Sequence, residues 1–435
     1  MQFLKNRIVR IVRWGGQYTK MDMMYLARGG SVLGAGQIVS SGAAFILSIA
    51  FANLFPKETF GVYRYALSLV GIAGAFALTG LETALTQSVA RGFDSSFPRG
   101  VKITFFSSFC TSAALLAIAG YYFLHHNSLI GWGLIIAAVA TPLLKTSGLF
   151  GAFLVGKKDF SRRTKYGIFY DITSAAGIII ALLFTDSAFV LLGVYFFITA
   201  MMSFLLYRRT LTVYKPLTHP EDPTLLPNSL HLSVMGFLGM ITSQLDRILT
   251  FHYLGASSLA VYSFALAIPQ HLRQGQKIIS TLVLPRFSQH RIEHIQKNIF
   301  TKAFGLFIVM ALVAGVYILA APFIFKLLFP DYIESIAYSQ VFALILLFSP
   351  SVLYQQTLIA HQQQKALYIL NFVGAPLRII TLLILTPLYG IWGVLTSTFI
   401  NEIFRLVLVI YFVHQISEPK DPDRLSTEAP TSSSS

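Results

Sequence analysis

A polar patch interrupts an otherwise apolar stretch between residues 260 and 285. Gln270, Arg273, Gln274 and Lys277 follow one another at spacings of one or three residues, and they share one broad face of an α-helix. A guanidinium binds phosphate as a bidentate fork, whereas an ammonium binds it as a point charge. Glutamine amides can hydrogen-bond sugar hydroxyls. The pattern predicts an anion-binding surface; the alternatives are a bridge between helices and, for Lys277, snorkelling to the membrane edge.

Composition places this patch inside a membrane protein. Of the 435 residues, 55% are hydrophobic and 12% are charged, and the mean hydropathy is +0.66. An ordinary soluble domain has about 25% charged residues. One cysteine, Cys110, excludes a disulfide framework. In a membrane protein the net charge of +15 reflects the sidedness of the loops, so no nucleic acid partner is expected.

Twelve apolar stretches are long enough to cross a bilayer as helices. They lie near residues 30–53, 62–88, 101–124, 129–154, 166–184, 188–206, 230–254, 260–285, 300–325, 336–359, 367–386 and 389–412. The eighth stretch carries the polar patch, and Arg273 lies roughly 18 Å from its carboxy-terminal end, near the middle of a hydrocarbon layer of about 30 Å. The predicted fold class is an all-α polytopic membrane protein with twelve transmembrane helices.

Basic residues predict the orientation of these helices. Lys57 and Lys326 are the basic residues of the connections on one side, whereas the other side has clusters such as residues 157–165. Cytoplasmic loops of membrane proteins carry the excess of Lys and Arg. Both termini are therefore predicted to be cytoplasmic.

The two halves of the chain resemble each other. Residues 55–69 and 254–268 share the pattern Val-Tyr-x-aromatic-Ala-Leu in the turn between the first two helices of each half. A duplicated six-helix unit gives both copies the same orientation, so we expect two pseudo-symmetric lobes around a central cavity. The expected segments are a basic amphipathic cytoplasmic segment at 1–28, an N-lobe at 29–206, a cytoplasmic linker at 207–229, a C-lobe at 230–414 and a disordered cytoplasmic tail at 415–435.

Cations outnumber acids inside the predicted helices. The cations are Arg64, Lys145, Arg247, Arg273, Lys277, Arg378 and Arg405, and the acids are Glu82, Asp171, Asp246 and Glu402. A charge inside a membrane needs an anion, water or a backbone carbonyl as its partner. The imbalance predicts an anionic substrate, and every cation in this set except Arg405 is a candidate binding residue. A structural interhelical pair is an equal alternative for Lys145 and Arg378, and an interfacial position suits Arg64 better.

The acids and Arg405 are candidates for a gate or for ion coupling. Glu402 and Arg405 are three residues apart and can pair within one helix, so we favour a structural or gate role for them. Glu82 lies at the predicted cytoplasmic edge and is a further gate candidate. If transport is coupled to H+ or Na+, an intramembrane acid must bind the ion, and Asp246, Asp171 and Glu82 all stay open as candidates.

Enzyme motifs are weak in this chain. Residues 290–294 match H-x-x-E-H, but an arginine lies inside the motif and no third ligand is evident, so a solvated connector is favoured over a metal site. The sequence has no P-loop and no nucleophile signature. No cofactor is expected. A membrane-embedded glycan polymerase or ligase is disfavoured because the predicted external loops are short.

Four local patterns resemble the polysaccharide transporter family. They are Phe60-Gly61-Val62-Tyr63 after a short turn, Gly80-Leu81-Glu82-Thr83-Ala84-Leu85 at the end of the second helix, Gln244-Leu245-Asp246-Arg247 before Leu254-Gly255, and Leu284-Pro285 at the end of the eighth helix. The resemblance covers residues 28–415. The family contains the Wzx-type lipid-linked oligosaccharide flippases of the multidrug/oligosaccharidyl-lipid/polysaccharide exporter superfamily.

The resemblance implies alternating access in the bacterial inner membrane. Two six-helix lobes would rock around a central, often cationic, cavity and move an undecaprenyl-pyrophosphate-linked glycan, such as an O-antigen, capsule or exopolysaccharide repeat unit, to the outer leaflet. The implied partners are that glycan and the lipid bilayer, with a glycan polymerase and a chain-length regulator as further candidates. The alternative within the superfamily is a drug/cation antiporter, for which an acid-dominated cavity would be expected.

Overall fold

The protein is helical throughout the part that this computed structural model describes: residues 23–215, 222–288, 292–361 and 363–416, without the side chains of 23–33, 274–279, 281, 282, 284–286, 288 and 294. The helices are α1 (Met23–Leu54), α2 (Lys57–Ala73), α3 (Leu81–Ala90), α4 (Ser96–Leu124), α5 (Ser128–Gly148), α6 (Phe150–Gly156), α7 (Phe160–Leu182), α8 (Ala188–Tyr214), α9 (Leu225–Ser288), α10 (Ile292–Leu328), α11 (Ser335–Ala343), α12 (Ser351–Ala360), α13 (Gln364–Tyr389) and α14 (Ile391–Gln415). The described residues contain no strand, which confirms the predicted all-α class.

Most of these helices have the length and polarity of membrane spans. Ten helical segments within the described ranges are long and apolar enough to cross a membrane, and α11 with α12 forms an eleventh that is bent by 40°. One of the ten runs from Leu225 to Arg273, which is 49 residues. A straight helix of that length would measure about 74 Å, more than twice a hydrocarbon layer of about 30 Å. This segment therefore crosses the membrane more than once.

Helix α9 folds back on itself at Gly255. The backbone there has φ 83° and ψ 178°, a conformation that is essentially restricted to glycine. The Tyr262 hydroxyl donates to the Asp246 carboxylate at 2.8 Å although the two residues are 16 apart in the chain. A straight helix would separate them by about 24 Å. The first arm of α9 (225–254) and its second arm (256–288) are thus separate crossings, so the described chain has the twelve crossing segments that the sequence predicts.

Polar contacts define the two ends of the helix bundle. At the end that we call the linker end, Lys157 Nζ lies 2.8 Å from Asp94 Oδ2, and Tyr214 donates to Asp159 at 2.5 Å. At the opposite end, the hairpin end, the Asn53 amide donates to the Leu328 carbonyl at 2.9 Å. The turn at Gly255 lies at the hairpin end.

Apolar packing between the two halves is concentrated at the hairpin end. One large core joins Phe51 and Phe60 of the first half to Phe264 and Phe329 of the second, and the rings of Phe60 and Phe264 are 4.9 Å apart. Each half has its own core toward the linker end, where only the start of α9 reaches across to the first half. The apolar contact between the two halves is therefore most extensive at the hairpin end.

Small residues let α2 approach α9 closely along the seam between the halves. A Cβ at Gly61 would overlap the carbonyl oxygen of Ala256, so the two backbones are in direct contact. Further along α2, the rings of Tyr65 and Phe251 stack with their centroids 3.8 Å apart. This seam brings the predicted cations of the two halves together.

The predicted linker is shorter than expected. Helix α8 continues to Tyr214 and α9 begins at Leu225, so most of the described part of 207–229 is helical. Asp222, in the connection, is buried, and its carboxylate accepts hydrogen bonds from Arg91 at 2.5 Å and from the Thr224 hydroxyl at 2.7 Å. Residues 1–22 and 417–435 lie outside the described residues, and so do the predictions made for the amino-terminal segment and the tail.

Candidate functional site

The first charged cluster surrounds Asp246, whose side chain is 7% exposed. Its Oδ2 accepts the Tyr262 hydroxyl at 2.8 Å and lies 3.7 Å from Arg378 Nη2. Its Oδ1 accepts the backbone N–H of Arg247 at 2.9 Å. The turn at Gly255 positions Tyr262 beside Asp246, and α13 positions Arg378 there. Asp246 is therefore a buried counterion whose ion pair with Arg378 connects α9 to α13. This is the interhelical pair that the sequence offered as the alternative for Arg378.

Two more guanidiniums adjoin this carboxylate. Arg247 donates to the Gln244 side chain at 2.9 Å, and Arg64 of the other half lies close enough to interact electrostatically with Arg247 and Asp246. The Nε atoms of Arg64, Arg247 and Arg378 are buried without a hydrogen-bond partner among the described residues. Within the described residues only Arg378 forms an ion pair with this carboxylate, while Arg247 and Arg64 lie nearby without one. The cluster therefore has an excess of two positive charges where an intramembrane charge requires an anion or water. Arg64 lies in the seam between the halves rather than at an interface with the lipid headgroups.

The second charged cluster lies around Glu402 of α14. Its buried carboxylate pairs with Arg273 from the second arm of α9. Arg405 donates instead to the Gln355 amide oxygen of α12 at 2.9 Å. The direct salt bridge of Glu402 in the described residues is with Arg273 of α9, while Arg405 donates across to α12 and stays within electrostatic range of Glu402. The sequence predicted a pairing of Glu402 with Arg405 within one helix. Arg273 is 35% exposed, so part of its guanidinium is still accessible.

A cavity of about 320 Å³ lies between the first arm of α9, α13 and α14. We call it the arginine cavity. Its polar lining residues are Thr242, Ser243, Asn371, Arg378, Asn401 and Arg405, and no acidic residue of the described chain lines it. Guanidinium, amide and hydroxyl groups all donate hydrogen bonds. The cavity therefore suits an anion with several acceptor oxygens.

A second cavity, of about 370 Å³, lies among α1, α7 and α8 of the first half and the second arm of α9. We call it the hydroxyl cavity. Its polar lining residues are Gln37, Ser40, Ser41, Tyr170, Asp171, Ser174, Tyr195, Thr199 and His271. Asp171 is its single acid, and it forms no ion pair within the described part of the chain. The two cavities thus differ in chemistry: one is lined by cationic donors, and the other by hydroxyls and a carboxylate.

The remaining predicted site residues are dispersed. The Lys145 ammonium lies at the seam, where a Cβ on Gly74 would be 3.9 Å from it. Glu82 is exposed in the first turn of α3, toward the linker end, and Gln270 is half-buried. The side chains of Gln274 and Lys277 lie outside the described residues, so the predicted shared face with Arg273 stays a prediction.

Several residues in these sites were not identified from the sequence. Asn371, Asn401 and His271 are polar residues within apolar helices, so a search extended from charges to amides and imidazoles would have found them. Tyr262 and Gln355 offer no such signal. Their roles as partners of Asp246 and Arg405 depend on contacts between helices that are distant in the chain.

Solved structures share this fold. An inward-facing multidrug resistance MATE family transporter of the MOP superfamily is 12% identical, with a TM-score of 0.66 over 87% of this chain and 94% of that chain. An outward-facing conformation with the same description is 13% identical, with a TM-score of 0.62 over 89% and 94%. A MOP superfamily transporter from Pyrococcus furiosus Vc1, whose binding pocket is described as having reverse polarity, is 12% identical, with a TM-score of 0.61 over 89% and 94%.

The sequence itself matches a family model described as a polysaccharide biosynthesis protein over residues 26–291, which is more than half of the chain. A comparison with curated proteins gave no match. The matched region includes α2, the hairpin of α9 and the Asp246 motif on which the predicted resemblance rested, so that resemblance is confirmed. With a helical bundle that has the fold of the MOP-superfamily transporters, the chain belongs to the polysaccharide biosynthesis protein family.

Proposed function

We propose that this protein is a flippase that moves an undecaprenyl-pyrophosphate-linked oligosaccharide across the bacterial inner membrane by alternating access. The substrate would be a repeat unit of an O-antigen, capsule or exopolysaccharide. The observation that carries the proposal is the excess of positive charge between the halves. Three guanidiniums lie around the Asp246 carboxylate, of which Arg378 alone is ion-paired with it in the described residues, and the adjoining arginine cavity has no acidic residue in its described lining.

A pyrophosphate group needs this arrangement to cross a bilayer. Its oxygens lose water inside the membrane, and guanidinium forks replace those hydrogen bonds with bidentate ones. The attraction between opposite charges is also stronger in a medium of low dielectric constant. Arg247 and Arg378 each keep a buried Nε without a partner in the described residues, so they have donors left for phosphate oxygens.

Exchange of partners offers a way to couple binding to an ion. Asp246 pairs with Arg378, and Glu402 pairs with Arg273. A pyrophosphate that binds these arginines competes with the carboxylates for them. A buried carboxylate that loses its arginine is stabilised by taking up H+ or Na+. We infer that any coupling runs through Asp246 or Glu402 rather than through the exposed Glu82.

The packing of the halves supports a direction of loading. The apolar core joins the halves at the hairpin end, whereas the cores at the linker end are largely separate. With the orientation predicted from the basic residues, the linker end is cytoplasmic. The substrate would then enter from the cytoplasmic side and leave to the outer leaflet, where a polymerase and a chain-length regulator would receive it.

The second candidate function is a drug/cation antiporter. It is favoured by the hydroxyl cavity, which contains Asp171 and is lined by no lysine or arginine of the described chain. Two of the solved structures with this fold are described as multidrug resistance transporters. The cationic seam disfavours this candidate, because a cationic drug would meet the charges of Arg64 and Arg247, which form no ion pair with another described residue.

Deletion of the gene tests the function. We expect a lipid-linked glycan to accumulate on the cytoplasmic leaflet and the matching surface polysaccharide to disappear, with no change in resistance to cationic drugs. Leaflet location is measured with a membrane-impermeant lectin or glycosidase on inverted and right-side-out vesicles. If no lipid-linked glycan accumulates and drug sensitivity rises instead, the antiporter replaces the flippase.

Complementation tests the site. Arg247→Gln removes a guanidinium that is not ion-paired in the described chain, so the protein should reach normal levels while glycan export falls by about tenfold or more, the effect of losing one hydrogen bond to a charged group. Lys102→Gln removes the same charge from an exposed position near the linker end and should leave export unchanged. Full export by Arg247→Gln would contradict a substrate path along this seam.

A further inference from the structure

The hydroxyl cavity lies at mid-depth in the helix bundle, away from the arginine cavity. Asp171 is the central residue of α7, which runs from Phe160 to Leu182, so the cavity lies where a membrane-spanning helix is farthest from water. Polar groups at that depth are costly unless they serve a ligand, an ion or each other. Some of the nine polar side chains around the cavity serve each other or the backbone, as Gln37 does with Ser41 and Thr199 with the Tyr195 carbonyl.

Among the described residues, two buried atoms of this cavity have no hydrogen-bond partner. Ser174 Oγ and His271 Nδ1 are buried without a hydrogen-bond partner among the described residues. Buried polar side-chain atoms are hydrogen-bonded in the large majority of cases, to protein or to ordered water. Ser174 belongs to the first half and His271 to the second, so a ligand that satisfies both would contact both moving parts.

The size and chemistry of the cavity distinguish among ligands. A volume of about 370 Å³ greatly exceeds the roughly 30 Å³ that one water molecule occupies in the liquid, so a bare ion would leave most of it unfilled. The described lining has no lysine or arginine, which disfavours phosphate. Carboxylate, hydroxyl and imidazole groups supply both donors and acceptors, and Tyr170 and Tyr195 add flat apolar rings. A sugar ring has the same combination of hydroxyls around its edge and an apolar face.

The cavity is also next to the cationic seam. Tyr195 lines the cavity and lies near Arg64, which belongs to the Asp246 cluster. In a pyrophosphate-linked glycan the sugar is bonded directly to the phosphate. A substrate whose phosphates contact Arg64 would therefore place its sugars toward Tyr195 and into this cavity.

We propose that the hydroxyl cavity binds the sugar rings of the transported lipid, with Asp171 and His271 as hydrogen-bonding partners, while the cations of the seam bind its phosphates. This inference rests on the proposed function and deepens it, because it assigns the sugars to the hydroxyl cavity and the phosphates to the seam. The sugar would be held by the first half and closed over by His271, so glycan recognition and the movement of the halves would depend on each other.

Calorimetry on the full chain in lipid nanodiscs tests this division. The probes are a lipid-free oligosaccharide, prepared by partial acid hydrolysis of the surface polysaccharide of the source bacterium, and inorganic pyrophosphate, Na+ and tetraphenylphosphonium. Asp171→Asn should lower the affinity for the oligosaccharide by about tenfold or more, the effect of losing a hydrogen bond to a charged group. It should leave the affinity for pyrophosphate unchanged. Asp186→Asn makes the same substitution at an exposed loop position and should change neither of these two affinities.

A second variant is needed in case the amide of Asp171→Asn still hydrogen-bonds the sugar as the carboxylate does. Ser174→Leu fills part of the cavity and should also reduce oligosaccharide binding without an effect on pyrophosphate. The inference is overturned if the oligosaccharide binds the wild type and both variants equally, or if the variants instead abolish the binding of Na+ or tetraphenylphosphonium. Absence of oligosaccharide binding to the wild type also overturns it, whereas the flippase assignment is judged separately by pyrophosphate binding and by glycan accumulation in the deletion strain.

Discussion

The ion pair between Asp246 and Arg378 is the contact whose removal should change the protein most. Asp246→Asn keeps the shape and an acceptor for the Tyr262 hydroxyl, but it removes the one carboxylate that the described residues place among the three guanidiniums. At the observed separation of 3.7 Å, the lost attraction is about 4 kcal/mol at an effective dielectric constant of about 20. Relief of carboxylate desolvation offsets part of this loss. We expect the free energy of unfolding to fall by about 3 kcal/mol, at the lower limit for breaking a buried pair.

A double-mutant cycle separates the pair from its surroundings. Arg378→Gln alone leaves Asp246 buried beside Tyr262 and should also destabilise the protein. The double variant removes both charges, so its loss should be smaller than the sum of the single losses by at least about 1 kcal/mol. As a matched control, the pair of Lys57 with Glu334 has side chains that are 27% and 63% exposed, and its coupling energy should lie between about 0 and 1 kcal/mol.

The assay is unfolding in mixed micelles of dodecyl maltoside and SDS, followed by circular dichroism. The reasoning is refuted if Asp246→Asn changes the free energy of unfolding by less than about 0.5 kcal/mol, the usual range for a surface substitution. It is equally refuted if the losses in the free energy of unfolding of the two single variants add up to the loss of the double variant. Either result would mean that Arg378 is solvated by water and does not depend on Asp246.

Three further predictions follow from the fold. Glu402→Gln leaves Arg273 without its carboxylate, so inorganic pyrophosphate should bind about tenfold more tightly in calorimetry; unchanged affinity would place Arg273 outside the anion path. Gly255→Ala strains a backbone with φ 83° and should lower the free energy of unfolding by about 1–3 kcal/mol, whereas Gly315→Ala, which has open space around it, should not. Burial raises the pKa of Asp222, but hydrogen bonds from Thr224 and Ser88 and the charge of Arg91 outweigh it and hold that pKa below its ordinary value. The stabilisation by the ionised Asp222 is therefore complete above the unfolded pKa of about 3.9, and it is lost as the pH falls through the lower folded pKa. The free energy of unfolding should therefore depend less on pH below about pH 4 in Asp222→Asn than in the wild type.

The two cavities give the proposed flippase a physical basis for specificity. In this proposal the arginine cavity and the seam would recognise the anion, and any lipid pyrophosphate would satisfy them. The hydroxyl cavity carries groups that distinguish one arrangement of hydroxyls from another, because a buried polar group that is left unpaired is costly. On this view, exchange of the first-half cavity between related proteins should transfer the preferred glycan.

The sequence alone determined the architecture. Apolar runs of span length predict helices because a lipid-exposed backbone must satisfy its hydrogen bonds within the segment. The same reasoning finds the intramembrane charges, since Asp246, Arg273 and Glu402 interrupt apolar runs. Four local patterns, including the one around Asp246, also indicated the family, and the hairpin was predicted as two separate crossings on either side of Gly255.

Only the tertiary structure decided which of these groups are partners. Glu402 pairs with Arg273, which is 129 residues away, rather than with Arg405 on the next turn of its own helix. Tyr262 reaches Asp246 only because the chain reverses at Gly255, and His271 joins a cavity that is otherwise built by the first half. Such pairings depend on how each helix is rotated and tilted against its neighbours. That rotation is set by packing summed over many weak contacts between distant segments, so no local pattern of residues contains it.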